Sequence, residues 1–87
     1  DRLIEDWAVR DARAMQASDL EPLLALQPEV LLLGSGSGQA FPPAVVLAEC
    51  LRRGVGIEVM GNDAAARTFN VLASEGRKVV AGFVLPG

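Results

Sequence analysis

Two short stretches carry the residue types from which a site could be built. The first is Gly34-Ser35-Gly36-Ser37-Gly38. Glycines let backbone N–H groups approach an anion closely, and a helix predicted from Pro43 begins soon after. The spacing departs from both nucleotide signatures, however. Gln39 stands where the dinucleotide fingerprint needs its third glycine, and no Gly-Lys-Ser/Thr closes the loop as in a P-loop. Pro42 and Pro43 also lack the N–H that a phosphate would use. An anion cradle therefore stands beside a plain strand-to-helix turn. Ser35 or Ser37 is a nucleophile only beside a base, and the chain has no histidine.

The second stretch is Asn62, Asp63, Arg67 and Asn70. Asp63 and Arg67 stand at i, i+4 and would pair on a helix surface, with Asn70 and Ser74 extending the polar face. Two readings stay open: a capped helix with a solvated side, or a polar pocket for a small carboxylate or a partner's backbone. Gly34, Ser35, Gly36, Asn62, Asp63, Arg67 and Asn70 together form the candidate ligand or partner pocket. No catalytic set and no metal-ligand set emerges. Cys50 reads as a small core residue, and Glu58 points outward or pairs with Arg77.

These residues meet only if the elements beneath them are arranged suitably. Val30-Leu31-Leu32-Leu33-Gly34 is a short apolar run bounded by Pro28 and the glycines, as in a strand buried on both faces. Pro43 to Arg53 reads as a helix, with Ala44, Leu47, Ala48 and Leu51 recurring at i, i+3, i+4 and i+7 and Gly54 as its end; Val45, Val46 and Cys50 leave few polar faces, so it should be largely covered. Val55 to Met60 is the next strand, and the two should run parallel through a right-handed crossover. Their carboxyl ends would then bring the glycines and Asn62-Asp63 into one crevice. Asp63 or Asn62 caps a helix from Ala64 to Glu75, and Lys78 to Leu85 is the last strand. Earlier in the chain, Arg2 to Val9 reads as a strand and Asp11 to Ala17 as loop. Ser18 and Glu21 form a capping box for a short helix to about Leu26. The alternation indicates a single α/β domain over residues 1–87.

Composition narrows the function. The chain has 87 residues, a net charge of −3 and a hydrophobic fraction of 51%. No basic stripe suits nucleic acid, no apolar run spans a membrane, and the first ten residues do not form a signal peptide. One cysteine fits a reducing, cytoplasmic compartment. So much apolar content in a small domain points to surface that meets a partner. The start at Asp1, without methionine, suggests that an N-terminal piece is missing.

The motifs resemble a known family. Leu31-Leu32-Leu33-Gly34-Ser35-Gly36 with Phe41-Pro42-Pro43 is similar to its strand, glycine turn and helix start. Gly56-Ile57-Glu58-Val59-Met60 matches its next strand, and Ala65-Ala66-Arg67-Thr68-Phe69-Asn70 its most distinctive segment. This is a small α/β family of unknown function in bacteria and archaea, whose mitochondrial members are assembly factors for respiratory complex I. Ser35 and Phe69 depart from the family's usual Thr and Tyr. The resemblance implies a three-layer fold with a central mixed, largely parallel sheet whose last strand is antiparallel. It also implies additional N-terminal strands, whose lack would leave an edge open to a second copy. No activity and no cofactor come with it. The resulting expectation is a non-enzymatic protein-interaction module, cytoplasmic in a bacterium and mitochondrial in a eukaryote. The alternative is a small-ligand or enzyme domain using the crevice.

Overall fold

The computed structural model describes residues 11–36 and 41–84, together with the backbone of residues 2–4. Four strands form one sheet in the order β1-β4-β2-β3, with β1 at Arg2–Ile4, β2 at Val30–Gly34, β3 at Gly56–Met60 and β4 at Val79–Phe83. The α/β expectation holds, and β2 lies where the apolar run placed it. The strand expected over Arg2 to Val9 is described only to Ile4; its remainder, Trp7 included, lies outside the described residues.

Each described pairing is parallel: β1 with β4, β4 with β2, and β2 with β3. The antiparallel last strand is therefore a correction. Its cause is the helix α3, Asn62–Ser74, which starts where β3 ends and carries the chain back along the sheet. Only Glu75 to Lys78 separate it from β4. The chain thus re-enters the sheet at the rim where β2 also begins, with Val79 paired to Val30, and must run the same way.

Burial on both faces explains the unbroken apolar run. All five residues of β2 are buried. Leu31, Leu33 and Val80 pack with Leu23, Leu24, Val46 and Cys50 on one face, which carries α1 (Glu21–Leu24) and α2 (Ala44–Arg52). Val30, Leu32, Val79 and Ala81 pack beneath Phe69, Leu72 and Ala73 of α3 on the other. Two helical layers thus enclose the sheet, and the loops after β2 and β3 leave toward opposite faces.

The local expectations fared unevenly. Ser18 does not cap the first helix; the capping box lies two residues earlier, where the Gln16 N–H donates to the Asp19 carboxylate at 2.8 Å. A short 3-10 turn, Ala17–Leu20, leads into α1, and another at Ala12–Ala14 occupies the expected loop. α2 is less covered than expected: Val46 and Cys50 are fully buried, whereas Val45 and Leu51 are 61% and 72% exposed. Nearly every side chain of this helix is apolar, so periodicity could not choose the inward face. The observed rotation puts Glu49 and Arg53 on the flank nearest α1. There Arg53 Nε donates to Glu49 at 2.8 Å and Nη2 to Glu21, while Arg52 also donates to Glu49 at 2.7 Å.

The two guanidinium groups hydrogen-bonded to Glu49 hold its carboxyl down at about 2. A carboxyl whose folded value lies below its unfolded one stabilises the fold at higher pH, and that contribution vanishes on acidification. The pair is solvent-accessible, so the effect is small and screened by salt. Glu49→Gln should lower the melting temperature slightly above pH 4.5. The difference should shrink as pH falls toward 2, and in high salt. A pH-independent difference in a melting series would show that the ion pairs are not its source.

Candidate functional site

Strand register fixes which backbone ends meet. Gly34 lies beside Met60 of β3 and beside Phe83 of β4, so three strands end at one rim. The glycine turn and the start of α3 therefore face one another, as the parallel crossover requires. Ser35 continues the pairing: its N–H donates to the Met60 carbonyl at 2.8 Å, and its hydroxyl to the same oxygen at 3.2 Å.

The centre of this rim is occupied by the side chain of Asn62. Its Oδ1 accepts from the Gly36 N–H at 3.0 Å, and its own N–H donates to the Gly36 carbonyl at 2.7 Å. Its Nδ2 donates to the Val84 carbonyl at 3.1 Å, while the Val84 N–H donates to the Gly34 carbonyl at 2.7 Å. One carboxamide thus joins the ends of β2, β3 and β4. At neutral pH an amide suits the place, because it accepts at one end and donates at the other.

Gly34 has to be glycine here. A Cβ on it would lie 2.3 Å from Asn62 Oδ1 and 2.6 Å from Phe83 Cδ1. Gly36 is glycine for another reason: φ of 98° is a conformation that side chains rarely allow. The N-cap of α3 is Gly61, not Asn62 or Asp63, and makes no side-chain capping bond. That leaves the Asn62 amide free for the strand ends.

The remaining candidates lie farther along α3. Asp63, Arg67 and Asn70 are all exposed and share its outward side with Ser74, at helical spacing. Asp63 and Arg67 do not make the expected ion pair; the ion pairs among the described residues join Arg13, Arg52 and Arg53 to their carboxylates. The structure therefore gathers Gly34, Ser35, Gly36 and Asn62 into one hydrogen-bonded knot and sets the other three on an open face beside it. Glu58 is exposed, the outward option of its two readings. Ser37 and Gly38 lie outside the described residues.

Sequence reasoning missed two participants, Phe83 and Val84. Nothing in the sequence of β4 signals that its end closes the Gly34 turn. Thr68, whose hydroxyl donates to Met60 Sδ at 3.4 Å, was also missed. Burial pushes the Cys50 thiol up, and at 0% exposure it is an inert core group. Among the described residues no group of three His, Cys, Asp or Glu could hold a metal ion, and no helix is long and apolar enough to cross a membrane.

A family model described as "Protein of unknown function (DUF498/DUF598)" matches residues 1–84. The 13 kDa major membrane protein of Francisella tularensis is 32% identical over 71 residues, covering 82% of this chain and 58% of the relative. The NADH dehydrogenase [ubiquinone] 1 alpha subcomplex assembly factor 3 of Danio rerio is 35% identical over 85 residues, covering 95% of this chain and 49% of the relative. The solution structure of a Xanthomonas campestris protein superposes with a TM-score of 0.82 at 51% identity, covering 90% of this chain and 59% of that one. The chain thus spans about half to three-fifths of the length of these relatives.

The knot makes two substitutions diagnostic. Gly34→Ala must displace Asn62 or Phe83, and should cost about 2–3 kcal/mol in chemical denaturation. Asn62→Asp keeps the acceptor for Gly36 but loses the donor for Val84, a loss of about 1–3 kcal/mol at neutral pH. Protonation restores that donor, so the variant's deficit should narrow as pH falls toward about 4, the ordinary carboxylate value. A deficit that does not change between pH 7 and pH 4, in ~0.1 M salt to limit long-range effects, would rule out the Asn62–Val84 bond as its cause.

Proposed function

This chain belongs to the DUF498/DUF598 family of proteins of unknown function, and from that membership we propose that it is a non-enzymatic protein-interaction module of assembly-factor type. One observation carries the reading. The crevice at the strand ends, where open α/β sheets usually receive a ligand, is filled by the chain's own Asn62 amide. What this rim offers a visitor is the adjoining face of α3, with the exposed Asp63, Arg67 and Asn70.

Neither Arg67 nor Asn70 is needed by the fold through any hydrogen bond or ion pair that the structure records. Unpaired exposed donors at helical spacing suit carbonyl or carboxylate groups on a partner polypeptide. A relative named as an assembly factor for NADH dehydrogenase supports this class of role. Under this reading the protein works in the cytoplasm of a bacterium, or in the mitochondrion of a eukaryote, and needs no cofactor.

A second reading keeps some support because β2 and β3 end side by side with their loops leaving toward opposite faces, which is the usual ligand-binding geometry. A small ligand would there have to displace the Asn62 amide from Gly36. Thermal melting with nucleotides and small carboxylates separates the two readings, since a bound ligand raises the melting temperature.

Arg67→Glu with Asn70→Ala should leave the melting temperature within about 1 °C of the parent, as surface substitutions do. The same variant should lose at least about tenfold in affinity for a purified partner. Unchanged partner binding would remove α3 as the interface. A rise in melting temperature with a small ligand, abolished by Asn62→Ala, would replace the module reading with the ligand one.

A further inference from the structure

The chain holds one cysteine and two methionines, and the fold treats the three sulfur atoms differently. The Cys50 thiol is fully buried in the core, and Met15, at 4% exposure, packs in the same cluster. Met60 is the exception. It ends the outer strand β3 and is only partly buried, against the residues that pack beneath α3. Val71, three residues beyond Thr68 on α3, is 55% exposed, so this part of the helix meets water.

A thioether sulfur carries two lone pairs and is a soft nucleophile toward peroxides. In Met60 one side of the sulfur is already engaged, because the Thr68 hydroxyl donates to Sδ at 3.4 Å. Thr68 is β-branched and lies within α3, so its hydroxyl has few places to go. An oxidant therefore has to approach from the other side, through the second lone pair. Oxidation makes the sulfur a stereocentre with two epimers. Engaging one lone pair selects between them.

We propose that Met60 is the methionine of this chain that hydrogen peroxide oxidises, and that Thr68 directs the reaction to one sulfoxide epimer. The Sδ lone pair attacks one peroxide oxygen as the O–O bond breaks and an S–O bond forms. Sulfur is oxidised by two electrons, and the peroxide is reduced. The second oxygen leaves as hydroxide, takes the proton from the oxygen now on sulfur, and departs as water. The added oxygen lies on the side away from Thr68. The site does not depend on the role proposed for the outward face of α3.

Peroxide treatment of the whole chain, followed by peptide mass spectrometry, tests this. Met60 should gain one oxygen at least about fivefold faster than Met15, since susceptibility follows exposure. The epimers are read by treating the Met60 peptide with each class of methionine sulfoxide reductase, because each class accepts one epimer. One class should revert the peptide in about threefold excess over the other, whereas chain oxidised in urea should give a ratio near one. Thr68→Ala should bring the folded chain to the ratio found in urea, and Thr68→Ser, which keeps the hydroxyl, should retain the excess. Equal oxidation of Met15, a parent ratio equal to that in urea, or an excess that survives Thr68→Ala would each overturn the proposal. If Thr68→Ala fails to fold, the Thr68→Ser variant decides: loss of the excess there, in a folded chain, overturns it as well.

Discussion

A single carboxamide has to serve three strand ends at once, and much of the rim follows from that. Parallel strands end with their last backbone groups unpaired, and a buried unpaired group costs about 1–3 kcal/mol. Asn62 meets this need by donating to Val84 and accepting from Gly36 while its own N–H reaches the Gly36 carbonyl. The amide must come close, which explains why Gly34 cannot carry a Cβ. Asn62 must also be released from capping duty, and the glycine at position 61 supplies the N-cap in its place.

This knot changes what the fold can do. An open α/β sheet with loops diverging to opposite faces leaves a crevice as a matter of topology. Here that crevice is closed by the chain's own polar groups. On the interaction-module reading proposed above, function then lies outward, on the helix face beyond the knot. Among the described residues, Phe41, Val45, Leu51 and Val71 remain more than half exposed. The opposite rim is organised by charge: Arg53 binds acids from two helices and ties α1 to α2 across one layer.

The α/β class, the buried strand Val30–Gly34, the parallel crossover to Gly56–Met60 and the meeting of the glycine turn with Asn62 were all legible in the chain. Each rests on local information: an unbroken apolar run, breakers at its ends, and a handedness rule that leaves one arrangement. The motifs around Arg67 and Phe41 were also enough to identify the family. Ser18 illustrates the limit of such reasoning. A capping pattern was present, but Gln16 and Asp19 made the box two residues earlier, and Glu21 was drawn instead to Arg53 from distant sequence.

What tertiary structure alone decided shares one cause: each case depended on groups far apart in the chain competing for the same space. A helix apolar on nearly every side has no preferred inward face until a neighbour supplies one, and α2 turned Val46 and Cys50 inward once the flank carrying Arg53 met α1. The direction of β4 was settled by where α3 delivers the chain, which local pattern does not encode. The role of Asn62 depended on Val84 and Phe83 arriving beside Gly34 from another strand. Local order was therefore written in the sequence, whereas rotation, direction and the closing of the crevice came from elements meeting in space.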